Sequence, residues 1–104
     1  MTGNWQVYII LCSDNSFYTG ITTDMDRRFR QHAEGRGARY FRGRRPIRVV
    51  YLETGHYHSS AARREVLIKS MTRADKALLV FDNLDPQHDR LCLSADRQEQ
   101  LLPP

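Results

Sequence analysis

Val7-Tyr8-Ile9-Ile10-Leu11-Cys12-Ser13-Asp14-Asn15-Ser16-Phe17-Tyr18-Thr19-Gly20-Ile21-Thr22 is the stretch that decides the fold of this chain. Two runs rich in β-branched and aromatic residues flank Ser13-Asp14-Asn15-Ser16, a cluster of turn formers, and the pattern predicts a β-hairpin. Each arm carries one tyrosine. Side chains alternate along a strand, so Tyr8 shares a face with Ile10 and Cys12, and Tyr18 with Gly20 and Thr22. Whether the two phenols share one face depends on the turn. A four-residue loop separates them; a loop of three or five residues, most simply Asp14-Asn15-Ser16, brings them together. Gly20 weakens a strand and marks a place where a ligand can approach the backbone closely. Taken alone, each tyrosine is open to a structural reading as well as a chemical one.

Downstream, Thr23-Asp24 opens a helix of about ten residues through Ala33, with Asp26 three residues after Thr23 as in a capping box, and Gly35 and Gly37 end it. Met25, Phe29 and Ala33 form the stripe expected to pack on the sheet. Arg28 and His32, four apart, lie together at the border of that stripe, while Arg27 and Arg30 point to solvent. Ile47 to Glu53 reads as a third strand. Ser59 or Ser60 caps a second helix to about Ser70, and Thr72 starts a third through about Phe81. The order strand, strand, helix, strand, helix, helix predicts an α+β fold with a small, three-stranded, mainly antiparallel sheet. Residues 5–81 form the expected domain. Residues 82–104 are a polar, acidic tail with room for a short helix near Ala95–Leu101, or with no order at all.

At 104 residues and 40% hydrophobic, the chain can bury one core but not two. No basic leader or long apolar run opens it, and Val7 to Cys12 is too short to span a bilayer, so a soluble cytoplasmic protein is expected. Cys12 and Cys92 stand far apart and in no metal-binding spacing. The net charge of +4 is unevenly spread: residues 82–104 carry −3, which leaves +7 on the rest. Arg36, Arg39, Arg42, Arg44, Arg45 and Arg48 fall within thirteen positions that contain no acid. Such a run is either a solvated loop or a surface for a polyanion, and guanidinium forks suit phosphate oxygens. Tyr40 and Phe41 inside the run can stack on bases or pin the loop to the core.

On the second helix, Glu65 falls between Ala61, Ala62 and Ile68, with Lys69 beside it. A carboxylate among apolar residues needs a partner. That partner is either Lys69 or an arginine, or else a divalent cation, for which carboxylate oxygen is the usual protein donor. His56 and His58 have no third ligand of matching spacing and are read as loop residues.

These positions together resemble the GIY-YIG nuclease superfamily, and within it the small stand-alone YhbQ-like proteins. Gln6-Val7-Tyr8 stands at the first motif and Tyr18-Thr19-Gly20 at the second; Arg28, His32 and Glu65 follow at the family's spacing. Gly37-Ala38-Arg39-Tyr40-Phe41-Arg42-Gly43-Arg44-Arg45-Pro46 is similar to the basic loop of the YhbQ-like group. Two departures stand out: Gln6-Val7 replaces Gly-Ile, and the third helix lacks the Asn that many family nucleases carry. The resemblance implies a GIY-YIG fold and hydrolysis of phosphodiester bonds with one Mg²⁺ or Mn²⁺. Glu65 would hold the metal and Arg28 neutralise the phosphate. Tyr18 would act as general base once the metal and Arg28 shift its phenol well below the usual value of about 10, with Tyr8 and His32 positioning the water and sharing the proton. Gly20, Arg36, Arg39, Tyr40, Arg42, Arg44, Arg45 and Arg48 are the expected nucleic-acid contacts. The implied protein is a monomeric endonuclease of low sequence specificity acting in repair or processing, on DNA rather than RNA. The rival reading keeps the fold and the basic loop as a binding module with weak or no cleavage.

Overall fold

The computed structural model describes residues 3–82; the tail from 83 to 104, including the expected helix near Ala95–Leu101, lies outside the described residues. The elements run β1 (Trp5–Cys12), β2 (Phe17–Thr22), α1 (Met25–Ala33), a single 3-10 turn (Arg39–Arg42), β3 (Pro46–His56), α2 (His58–Lys69) and α3 (Arg73–Asp82). The sheet is antiparallel with order β2-β1-β3, so β1 is central, as its run of apolar residues requires.

The hairpin turn sets everything that follows. The Cys12 amide donates to the Ser16 carbonyl at 2.9 Å, and the Asn15 amide to the Cys12 carbonyl at 2.8 Å. The loop is therefore three residues, Ser13-Asp14-Asn15, one position earlier than the simplest expectation. Asn15 takes the left-handed conformation (φ 69°) that such loops need at their last residue, and Asn tolerates it better than most side chains. The resulting register pairs Tyr8 with Gly20 and Ile10 with Tyr18. Directly paired residues share a face, so both phenols lie on the same side of the sheet.

Each face has its own cover. Val7 and Ile9 pack with Tyr51, Ala61 and Ile68 under α2, joined by Met71, Leu79 and Val80 from the α3 side. Tyr8, Ile10 and Cys12 pack with Phe41 under α1 and the 3-10 turn, joined by Met25 and Phe29. The stripe on α1 differs from the sequence reading at its end: Ala33 is exposed and His32 is buried, so the inward face is Met25, Phe29, His32. Asp24, rather than Thr23, caps this helix, accepting from the Arg27 amide at 3.1 Å. At the other end, Gly35 (φ 78°) follows the last turn while the Arg36 amide reaches the Gln31 carbonyl and the Gly35 amide reaches the His32 carbonyl. This is a Schellman ending, and glycine takes its left-handed position without strain.

β3 extends to His56, three residues past the expected end, because a bulge re-registers it and pairs His56 with Trp5. His56 is not a loop residue but a link in a polar chain. It meets Glu53 Oε1 at 2.8 Å and Ser60 Oγ at 2.9 Å, and Arg64 Nε donates to Glu53 Oε2 at 2.8 Å. Ser60 sits three residues into α2, where its hydroxyl accepts from the Tyr57 amide at 3.1 Å, so the capping is done from inside the helix. Thr72 does cap α3, accepting from the Asp75 amide at 3.1 Å.

The Tyr8–Gly20 pair yields a direct test. A Cβ built on Gly20 would stand 2.4 Å from the Tyr8 hydroxyl oxygen and 2.6 Å from its ring. The Tyr8 ring is buried and cannot swing into solvent. Gly20→Ala is expected to cost roughly 1–3 kcal/mol of overpacking strain, read as a lower urea midpoint at unchanged m-value. A variant as stable as the parent would show that the ring has room to move.

Candidate active site

The face that carries the two phenols is lined by α1, and α2 brings Glu65 and Lys69 toward its β2 edge. Ile68 is fully buried in the sheet's other cluster, while the next residue, Lys69, places its ammonium 5.8 Å from the centre of the Tyr18 ring. The same Lys69 Nζ lies 3.1 Å from Glu65 Oε2, one helical turn back. Of the three partners weighed for Glu65 from the sequence, Lys69, an arginine and a divalent cation, Lys69 is present. The pair stays partly wet, with the Lys69 side chain half exposed, so it contributes only a few tenths of a kcal/mol, roughly, as exposed helix pairs do.

Tyr8 and His32 form the buried centre. The Tyr8 hydroxyl and His32 Nε2 are 2.9 Å apart, and both side chains are about 1% exposed. The Ala38 amide donates to His32 Nδ1 at 3.2 Å. An amide can only donate, so Nδ1 must be the bare nitrogen and the ring proton sits on Nε2. His32 therefore donates to the Tyr8 oxygen, which leaves the Tyr8 hydroxyl proton free to donate elsewhere. A second glycine makes this possible: a Cβ on Gly37 would lie 2.0 Å from His32 Nδ1. From the sequence Gly37 reads as a helix terminator; its work is steric, and no local pattern announces it. Gly20 likewise makes room for the Tyr8 phenol, which fills the space its missing side chain leaves.

Around this pair the aromatic rings close. Tyr18 stands 6.2 Å from Tyr8 and 5.4 Å from His32, and Phe41 stacks 4.4 Å from His32 (all between ring centres). Arg28 is half-buried, with its Nη1 donating to Gln31 Oε1 at 2.9 Å. Burial pushes both phenols above their usual value; Arg28 pulls each back, and Lys69 also pulls on Tyr18. Burial, with Arg28 nearby, pushes the His32 imidazole down to about 4. Lys76 of α3 is also pulled down, by burial and by Lys69.

The structure thus brings together Tyr8, Tyr18, Arg28, His32 and Glu65, drawn from four elements. It divides the expected nucleic-acid contacts. Arg39, Arg42, Arg45 and Arg48 are exposed and have no ion-pair partner among the described residues. Arg36 pairs with Glu34. Arg44 is committed elsewhere: its Nε donates to Asp14 Oδ2 at 2.6 Å, its Nη1 to the Tyr40 carbonyl at 3.0 Å, and its guanidinium covers the Tyr40 ring at 4.0 Å. Tyr40 in turn donates to Ser16 Oγ at 2.6 Å and packs 5.1 Å from Tyr18. Tyr40 and Arg44 fasten the loop to the hairpin tip, the pinning alternative raised for the aromatic residues. Glu65 is the residue that would hold a hard cation: its carboxylate is partly exposed and its charge bears on both phenols, although Lys69 already pairs with one of its oxygens.

A hairpin that presents two tyrosines, an arginine one helix later and a glutamate on the helix after the third strand define a GIY-YIG domain. Residues 4–77 match the GIY-YIG catalytic domain, and the chain belongs to that superfamily. Within it, the chain belongs to the YhbQ-like group designated UPF0213. UPF0213 protein HQ_3675A of Haloquadratum walsbyi is 49% identical over 79 residues, spanning 76% of this chain and 89% of that one. UPF0213 protein NP_0776A of Natronomonas pharaonis is 44% identical over 82 residues, spanning 79% and 96%. The solution structure of UPF0213 protein BH0048 from Bacillus halodurans is similar at a TM-score of 0.54 and 42% identity, covering 88% of this chain and 97% of that one. Protein EF2693 from E. faecalis gives 0.50 at 34% identity, covering 79% and 92%.

The buried imidazole makes stability depend on pH. Unfolded, His32 titrates near 6.5, and folded near 4. As pH falls below 6.5 the unfolded chain takes up a proton that the folded chain refuses, so stability is full above 6.5 and is lost toward 4. The loss is on the order of 3 kcal/mol. Gln can accept from Ala38 and donate to Tyr8 without titrating. His32→Gln is therefore expected to flatten this limb when urea midpoints are compared between pH 7.5 and 4.5; an unchanged slope would place the titration elsewhere.

Proposed function

We propose that this domain hydrolyses phosphodiester bonds in nucleic acid, with one divalent cation, Mg²⁺ or Mn²⁺, held by Glu65. The observation that carries the reading is the convergence of Glu65 and Arg28 on the two phenols at one edge of the sheet. Packing alone would favour apolar residues there. A cation at Glu65 supplies neutralisation of charge developing on the phosphate and on the leaving oxygen. Arg28 offers a second positive charge, fixed by Gln31, to a non-bridging oxygen. Tyr8 is closed off from solvent with its oxygen held by His32, so it would act by positioning Tyr18 and Arg28 beside it. Tyr18 would be the base of the two phenols, because Lys69 acts on it and Tyr8 is the more deeply buried; burial nevertheless holds it above its usual value, so a cation at Glu65 would have to lower it first. His32 is neutral throughout the physiological range and acts by holding Tyr8. Arg39, Arg42, Arg45 and Arg48 track the backbone, which gives no base readout and hence low sequence specificity. DNA is the favoured substrate, in repair or processing.

A binding-only reading has one observation in its favour: Lys69 already neutralises Glu65. Glu65→Gln separates the two. It keeps the shape of the side chain and removes its charge. If the enzyme reading holds, Mg²⁺- or Mn²⁺-dependent cleavage of a labelled duplex, flap or single strand should fall at least about a hundredfold, as removal of one strong transition-state contact does. Metal-free binding should persist, and stability should change by less than about 1 kcal/mol. Cleavage that survives Glu65→Gln in a folded protein sinks the mechanism, and no metal-dependent cleavage of any substrate by the parent leaves the binding module.

The arginine loop makes its own prediction. Affinity should fall with salt at about 0.7–0.9 in slope per phosphate neutralised, so replacing Arg39, Arg42 and Arg45 together by Ala should flatten the slope by about 2. Arg44→Ala, by contrast, is expected to loosen the loop. A slope untouched by the triple change would make the exposed arginines a solvated surface only.

A further inference from the structure

A cleft of about 210 Å³ opens beside Arg28, lined by Trp5, Ile21, Thr22, Arg27, Arg28 and Gln31. It follows directly on Gly20 along β2 and shares Arg28 with the candidate active site. Trp5 is the only tryptophan of the chain; it is partly exposed, packs against the Val7–Ile9 cluster and meets His58 edge to face, 4.6 Å between ring centres. The polar lining is rich in unused donors. The Arg27 guanidinium has no partner among the described residues, and Gln31 spends its oxygen on Arg28, so its amide nitrogen is free. The carboxylate at the rim, Asp24, is turned to the α1 amides as their cap.

A partly exposed indole in a cleft with two guanidinium groups and a free amide suits a ligand with a flat ring, acceptor atoms and negative charge. We infer that this cleft is the subsite for the nucleotide flanking the scissile phosphate, with its base stacked on Trp5 and its outer phosphate on Arg27. This rests on the nuclease reading and specifies its substrate. A base lying on the indole cannot also stack and pair inside a duplex, so the favoured substrates carry an unpaired nucleotide at that position: single strands, flaps and frayed or damaged ends. Blunt duplex would bind through the arginine loop alone.

The sole tryptophan reports on its own occupancy. Fluorescein-labelled single-strand, flap and blunt duplex oligonucleotides are titrated into the protein without divalent cation, with label anisotropy reading binding and indole emission reading stacking. Single-strand and flap forms are expected to quench Trp5 saturably, in step with anisotropy, and the blunt duplex to bind with little quenching. Trp5→Leu should weaken single-strand binding about tenfold relative to duplex, the loss expected for one stacked base, and Trp5→Phe should restore most of it. Anisotropy that rises with no change in indole emission overturns the subsite and leaves the nuclease reading standing. So does an equal quench by blunt duplex. No binding of any form overturns both. Should Trp5→Leu fail to fold, the quenching of the parent protein decides alone.

Discussion

The hydrogen bond from His32 to Tyr8 is the constraint on which the remaining geometry turns. It ties the central strand to the helix that covers it, and the Ala38 amide on the other ring nitrogen ties in the basic loop. An imidazole this deep must be neutral, because an imidazolium would lose its acceptor and face Arg28 without solvent. Both glycines that flank the pair are explained by it. Gly20 and Gly37 each stand where a Cβ would come within 2.4 Å of one of the two partners. The pair is thus clamped from β2 on one side and from the loop on the other. A phenol held this way is fixed in place, and it in turn fixes the side of Tyr18 that packs toward it.

Most of the architecture was legible because it follows from short-range rules. Alternation gave the strands, the Ser-Asp-Asn cluster gave the turn, and Thr72 gave the start of α3. The parity of the hairpin was legible only as a choice between odd and even loops, and Asn15 adopting φ 69° decides it. Ala33 and His32 were exchanged because a helical wheel weighs hydrophobicity. What buries His32 is a pair of hydrogen bonds, one to residue 8 and one to residue 38, and neither is visible in a periodicity. The end of β3 was missed for a similar reason: its last pairing depends on a bulge and on Trp5 across the sheet.

The site residues were legible as a set but not their states. Arg28 and His32 sit four apart on one helix, yet one is half-buried at the cleft and the other wholly enclosed. Glu65 was open to three partners on sequence grounds, and the spacing to Lys69 raised the one the structure shows. The arginine run was the least resolvable feature, because charge counts cannot tell which guanidinium finds a carboxylate. Asp14 lies thirty positions before Arg44, and only the closed loop brings them together.

That closure bears on how the cationic loop works. The hairpin tip is held from two sides: the Ser13 amide donates to the Arg45 carbonyl and the Arg45 amide to Ser13 Oγ, Tyr40 meets Ser16, Arg44 meets Asp14, and from α3 Arg73 donates to the Asn15 carbonyl at 2.6 Å. A free loop of arginines would have to be ordered on binding, at a cost in chain entropy that grows with every residue fixed. Here the ordering is done in advance by Tyr40 and Arg44, which are spent on structure so that Arg39, Arg42, Arg45 and Arg48 start from a defined backbone. The same tip carries β2 and Tyr18 directly after it. Under the proposed reading, a phosphate chain on the loop would be registered against the two phenols through one short hairpin rather than through the sheet as a whole.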